Sequence, residues 1–294
     1  MRAGQGDPEA LSVWQGVLLT APSSENEEEE VMKSVRYLLA LTTLAVLVLP
    51  ASGQERLLAV DTSGSQLLQL DPVSGQSTFI ANVQGGGTIG ALAYDPTTDT
   101  LYASSTSLDE LWKIDYKTGL ATLVGAYNLA GINPVMHGLE YHPVTGKLYG
   151  IDYTSKGLCE IDKNTGQAVL IGTTPLTGFG SIAWDASAGV MFGGDSGTDS
   201  LWKIDLGTGA GTLVGPFNAP SAGSLGTGMA WSPTYGLYAV NNAGTDSLWK
   251  IDTATGQATL IANLSTSNVI SIAFIPEPAS LAALAILSGL IRRR

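Results

Sequence analysis

Between Gln54 and Ile275 the apolar positions fall in short runs separated by Gly, Pro, Asp and Thr. In one stretch the runs are HGLEYHP (137–143), KLYGID (147–152), GLCEID (157–162) and QAVLIGT (167–173). Runs of this length, rich in Val, Ile, Leu and aromatics and bounded by turn formers, predict β-strands. No 3.6-residue periodicity competes with that reading across the same span. A phrase ending in Ile-Asp or Leu-Asp before a Gly turn recurs at LLQLDPVSGQ (67–76), LWKIDYKTGL (111–120), LCEIDKNTGQ (158–167), LWKIDLGTGA (201–210) and LWKIDTATGQ (248–257). The closing aspartates Asp71, Asp115, Asp162, Asp205 and Asp252 are spaced 44, 47, 43 and 47 residues apart.

Four strands per unit at that period predict an all-β, five-bladed β-propeller with four-stranded blades. The first unit lacks its opening strand, and 268–274 (NVISIAF) matches the missing piece. The C-terminal strand is therefore expected to close the first blade and remove two exposed sheet edges. The repeat Leu-Trp-Lys-Ile-Asp-x-x-Thr-Gly, as at Leu111 to Gly119, resembles secreted bacterial propeller repeats of the YVTN and NHL kind. That resemblance implies the fold; the activities it covers range from binding and scaffolding to lactonase and lyase chemistry.

Composition narrows the chemistry. The 294 residues hold 26 acids and 14 bases, for a formal charge of -12. The acidity argues against a nucleic-acid partner, which calls for a basic face. One cysteine excludes a disulfide framework and a cysteine-rich zinc site, and two histidines leave little for a histidine metal centre. From Gln54 to Pro278 there are 19 acids against 8 bases, so the charge belongs to the repeat region, where much of it is turn aspartate.

The ends carry addresses. In 32–53, Lys33 and Arg36 precede an apolar stretch from Tyr37 to Leu49 and the small residues Ala51-Ser52-Gly53, the order of a signal peptide. The acidic tract 1–31 ahead of it is expected to be disordered, or a mis-called leader with Met32 as the true start. At the other end Pro276-Glu277-Pro278 is followed by an apolar run from Leu281 to Ile291 and by Arg292, Arg293 and Arg294. That order, over 276–294, resembles the PEP-CTERM sorting signal. The resemblance implies a Gram-negative bacterium, a short C-terminal transmembrane helix, transient membrane anchoring, and processing by exosortase after signal peptidase. The product would be exported to the cell envelope, surface or extracellular matrix.

Candidate site residues come from the positions where the repeat meets its loops. The second strands end in Asp61, Ser105, Asp152, Asp195 and Asn241, one polar residue per blade on the face that carries the long inter-blade connections. Asp61, Asp152, Asp195 and Asn241 offer hard oxygen donors suited to Ca²⁺; capping of their own hairpins is the structural alternative. In the third blade Glu140 replaces Ala93, Ala183, Ala230 and Ala273, with His137 and His142 beside it. A Glu there needs a partner such as His137 or Lys147. Asp162-Lys163-Asn164-Thr165-Gly166 lacks the spacing of a calcium loop. Trp112, Trp202 and Trp249 share one slot with Leu68 and Cys159, which reads as core. No nucleophile elbow, zincin motif or phosphate loop occurs. The expectation is a non-catalytic binding or matrix scaffold whose partner is an extracellular glycan or protein. A metal-dependent hydrolase, lactonase or lyase is the alternative.

Overall fold

A computed structural model describes residues 55–276, apart from 64, 132, 220–222, 242–244 and 267. The signal-peptide segment, the leader, the apolar run 281–291 and the residues Glu277, Pro278, Arg292, Arg293 and Arg294 lie outside the described residues. Among the described residues no helix is long and apolar enough to cross a membrane.

The chain runs through β1 (Arg56–Asp61), β2 (Gln66–Leu70) and β3 (Ser77–Asn82), then β4 (Ile89–Asp95), β5 (Thr100–Ser105), β6 (Glu110–Ile114) and β7 (Ala121–Ala126). It continues with β8 (Met136–His142), β9 (Lys147–Asp152), β10 (Gly157–Ile161) and β11 (Ala168–Thr173). Next come β12 (Gly180–Asp185), β13 (Val190–Asp195), β14 (Ser200–Ile204) and β15 (Gly211–Pro216). The last are β16 (Leu225–Ser232), β17 (Gly236–Asn241), β18 (Ser247–Ile251), β19 (Ala258–Asn263) and β20 (Val269–Ile275). They form five antiparallel four-stranded sheets. The first is ordered β20-β1-β2-β3, with Leu57 opposite Phe274 and Ala59 opposite Ile272. The C-terminal strand thus closes blade one, as the split repeat predicts.

The core lies between blades. Five apolar clusters each join one blade to the next: Leu92 and Leu101 meet Leu58 and Ala273, for example, and Leu139 and Leu148 meet Ala91 and Leu111. Trp249 is buried in one of these clusters, and Trp112 and Trp202 pack against two others. The first-strand aromatics Tyr94, Tyr141, Trp184, Trp231 and Phe274 take part as well. Cys159 is fully buried, and burial pushes its thiol up to about 12, so it behaves as a small apolar filler.

The repeated Asp-x-x-Thr-Gly turn, with Ser74 for Thr in the first copy, has a local and a long-range role. Asp71 Oδ1 accepts the N–H groups of Val73 and Ser74 at 2.9 and 2.7 Å. Asp115, Asp162, Asp205 and Asp252 accept backbone N–H bonds in the same way. The glycine that follows sits at φ between 69 and 81° in the five copies, a region that costs other residues a Cβ clash. It also presses on the outer strand of the preceding blade. A Cβ on Gly166 would lie 2.4 Å from the Gly125 carbonyl oxygen, and one on Gly172 would lie 2.0 Å from that of Thr208. Such turn-to-strand contacts run around the ring, from Gly119 against Asn82 to Gly75 against Ala262.

Candidate functional site

Each blade contributes turns to both faces of the ring. The hairpins after first and third strands share one face. The hairpins after second strands and the inter-blade loops share the other, called here the loop face.

Asp61, Asp152, Asp195 and Asn241 all end second strands on the loop face and are buried. Each is engaged by its own hairpin, and Asp152 and Asp195 by the adjoining loop as well. Asp61 Oδ1 accepts from the N–H and Oγ–H of Ser63 at 2.9 and 2.6 Å. Asp152 accepts from the Val135 and Thr154 amides and from Ser155 N–H and Oγ–H. Asp195 accepts from the amides of Thr177, Gly178 and Gly197 and from the hydroxyls of Thr177 and Thr198. Burial alone would raise the Asp195 carboxyl; these donors outweigh it and hold the group below the usual carboxylate range. Asn241 accepts the Ser247 amide at 2.6 Å and donates to the Thr245 carbonyl at 3.2 Å. Asp152 and Asp195 accept on both carboxylate oxygens, and Asp61 accepts on Oδ1. Among the described residues no three His, Cys, Asp or Glu side chains gather as a metal-holding group.

The two histidines separate. His142 ends β8 in the slot where Asp95, Asp185 and Ser232 end other first strands. Those residues cap their hairpins by accepting backbone N–H bonds. His142 Nδ1 accepts the Thr145 N–H at 3.1 Å and so does the same work. Its ring stands 4.1 Å from that of Trp184, and burial lowers its proton affinity, which keeps Nδ1 available as an acceptor.

His137 lies near the opposite, loop-face end of β8. It is the extra residue of a β-bulge, between the pairs Met136–Asp152 and Gly138–Ile151. A bulge re-aims a side chain at the end of a strand. The His137 ring stands 4.5 Å from Phe179 and 5.8 Å from Tyr153. Tyr153 and Phe179 stack at 4.8 Å with an interplanar angle of 22°, and Lys156 Nζ sits 3.5 Å above the Tyr153 ring centre. The result is an aromatic ladder with a cation on top, bridging blades three and four. Tyr153 keeps 38% of its surface accessible, enough to meet a ligand. Among the described residues Lys156 makes no ion pair. His137 is pushed down to about 4, by burial first and by Lys156 second, with Asp152 pulling the other way. The imidazole is therefore neutral at physiological pH, and Lys156 carries the local positive charge.

Tyr153, Lys156 and Phe179 were not among the residues that sequence reasoning singled out. A signal exists: of the five second hairpins, the third is the one with an aromatic and a lysine, Tyr153 and Lys156.

Glu140 does not make the ion pair expected for it. Lys147 bonds Glu160 instead, at 2.8 Å, and His137 belongs to the aromatic ladder near the other end of the strand. Glu140 Oε1 accepts its neighbour Tyr141 N–H at 2.9 Å, and the carboxyl also takes the Trp184 N–H. Burial pushes the carboxyl up to about 8 against these two donors. Lys163, in the turn that faintly echoes a calcium loop, instead joins Asp95 of blade two at 2.6 Å.

Two open grooves of about 560 and 520 Å³ occupy the same register in blades four and two, lined by Lys203, Asp205 and Thr212 and by Lys113, Asp115 and Thr122. They recur because the repeat recurs and mark architecture.

Comparison with known proteins reaches the same fold. A chain from a nidogen/laminin complex matches with 13% identity and TM-score 0.53, over 75% of this chain and 98% of that one. A protein of unknown function from Bacteroides thetaiotaomicron matches with 13% identity and TM-score 0.53, over 74% of this chain and 70% of that one. At this identity the likeness establishes the propeller alone. No curated protein matches. A family model described as a repeat of unknown function, DUF6923, matches residues 56–272, and the chain belongs to that family.

Proposed function

We propose that this protein is an exported, cell-surface or matrix-associated propeller that binds an acidic extracellular glycan without turning it over. The observation that carries the reading is the Lys156–Tyr153–Phe179–His137 ladder on the loop face. Aromatic rings supply apolar faces for sugar C–H groups, and an ammonium without an ion pair suits a carboxylate or sulfate. The surroundings favour binding over catalysis. The polar residues at the loop face serve as hairpin caps, and a histidine held near 4 is a weak base at neutral pH. The export reading rests on the signal-peptide pattern of 32–53. The Pro276-Glu277-Pro278 motif, apolar run and terminal arginines support exosortase sorting.

A glycan array probed with the purified protein tests the reading. Binding concentrated on uronic-acid or sulfated saccharides, and lost in Tyr153→Ala and Lys156→Ala, is the expected result. Cleavage of the bound saccharide, or binding untouched by both substitutions, overturns it.

A further inference from the structure

The innermost strands β4, β8, β12, β16 and β20 are each paired along one edge. The other edge, with its main-chain N–H and C=O groups, turns to the ring axis. A cavity of about 40 Å³ is lined by Ala93 and Tyr94 of β4, Glu140 of β8, Ala230 and Trp231 of β16, and by β20 around Ala273. Residues of four different blades share a cavity only at the axis. Its walls are largely polar, although alanines hold most of the slots. Glu140 is the one carboxylate among the lining residues, so the remaining polarity is chiefly main-chain.

Glu140 is also the break in the five-fold rule, an acid where the other four blades place alanine. Both of its identified partners are N–H donors, an arrangement that suits the ionised form. Among the described residues no cation pairs with it. Partly buried and pushed up to about 8, the carboxyl ionises in the weakly alkaline range, and there its charge faces two N–H donors and no cation of the described residues. The volume admits one small ion or water.

We propose that the axial cavity at Glu140 binds one monovalent hard cation, Na⁺ or K⁺, held by the Glu140 carboxylate and by main-chain carbonyl oxygens of the innermost strands. One carboxylate balances one positive charge, which sets this site apart from calcium sites built on several acids. The ion pins blade three to the axis.

Thermal unfolding of the whole protein at pH 8.5, in NaCl, KCl, choline chloride and CaCl₂ at equal ionic strength, tests this. Choline is too large for the cavity and serves as the reference. Saturating Na⁺ or K⁺ is expected to raise Tm by about 5 °C over choline. Glu140→Ala restores the residue of the other four blades and is expected to fold and lose the difference. Glu140→Gln keeps the shape and should lose it too, which covers a failure of the alanine variant to fold. Equal Tm in choline and in both alkali salts overturns the proposal. So does a salt difference that survives in both variants, or a shift produced by Ca²⁺ alone.

Discussion

Blades two and three are the same four-stranded sheet with the same hairpins, and they diverge in a few slots. At the bulge of the first strand blade two has Gly90, where a Cβ would fall 2.2 Å from Thr106 Cγ2, whereas blade three has His137. At the axis blade two has Ala93 and blade three Glu140. In the first hairpin Asp95 is matched by His142. In the second hairpin Leu108 and Asp109 stand near the positions of Ser155 and Lys156. The third strand exchanges Trp112 for Cys159. The hairpin caps, outer-strand contacts and inter-blade clusters survive all these exchanges. The features shared by blades hold the ring together, and those peculiar to blade three equip it with an aromatic ladder and an axial acid.

That division orders the expected effects of mutation. The largest belongs to the shared framework. Gly172→Ala places a methyl against the Thr208 carbonyl, where only backbone can yield. A loss of about 3 kcal/mol is expected by denaturant unfolding, and Gly125→Ala, facing Thr165 in the preceding interface, should match it. A much smaller loss would show that the turn-to-strand contacts are loose.

Next is the ion pair between blades two and three. Asp95 is fully buried and Lys163 partly so. Burial raises the Asp95 carboxyl, but the Lys163 bond and the Thr97 and Thr98 donors prevail and bring it to about 2. A carboxyl held below its unfolded value contributes stability above about pH 4, and that contribution disappears as pH falls toward 2. Lys163→Met should cost about 2 kcal/mol at pH 7. Acid titration should show the gap between wild type and variant narrowing below pH 4; a constant gap contradicts the assignment.

His137 gives a smaller effect in a different window. Its folded value near 4 lies below the unfolded value near 6.5, so its contribution is present above pH 6.5 and declines as pH falls toward 4. His137→Phe keeps an aromatic ring and should flatten that part of the stability–pH curve. The smallest effect is expected from His142→Asp, which installs the cap used by blades two and four. Unfolding free energies should agree within about 0.5 kcal/mol.

The framework was legible in the sequence because its determinants are local and repeated. The Asp-x-x-Ser/Thr-Gly turn needs its aspartate and glycine wherever it occurs, so five copies announce five blades, and 268–274 supplies the missing strand by simple matching. The polar residues ending the second strands were placed correctly on the loop face, but the sequence could not say whether they point at a ligand or at their own backbone. The ladder was half legible. His137 breaks the repeat visibly, while Phe179 belongs to the approach to the next blade and reaches His137 only through the bulge and the closing of blades three and four. The partner of Glu140 was misread because Lys147, close in sequence, is drawn to Glu160 across the sheet.

On the proposed function, ligand binding resides where blade three departs from its neighbours. The direct measurement is the dissociation constant for an acidic oligosaccharide, determined by calorimetry for the wild type, Tyr153→Ala, Lys156→Ala and the blade-two hairpin control Leu108→Ala. Weakening by tenfold or more in the two blade-three variants, about 1.4 kcal/mol each, with Leu108→Ala unchanged, is the predicted result. Equal affinities in all four proteins, or a loss confined to Leu108→Ala, would contradict it.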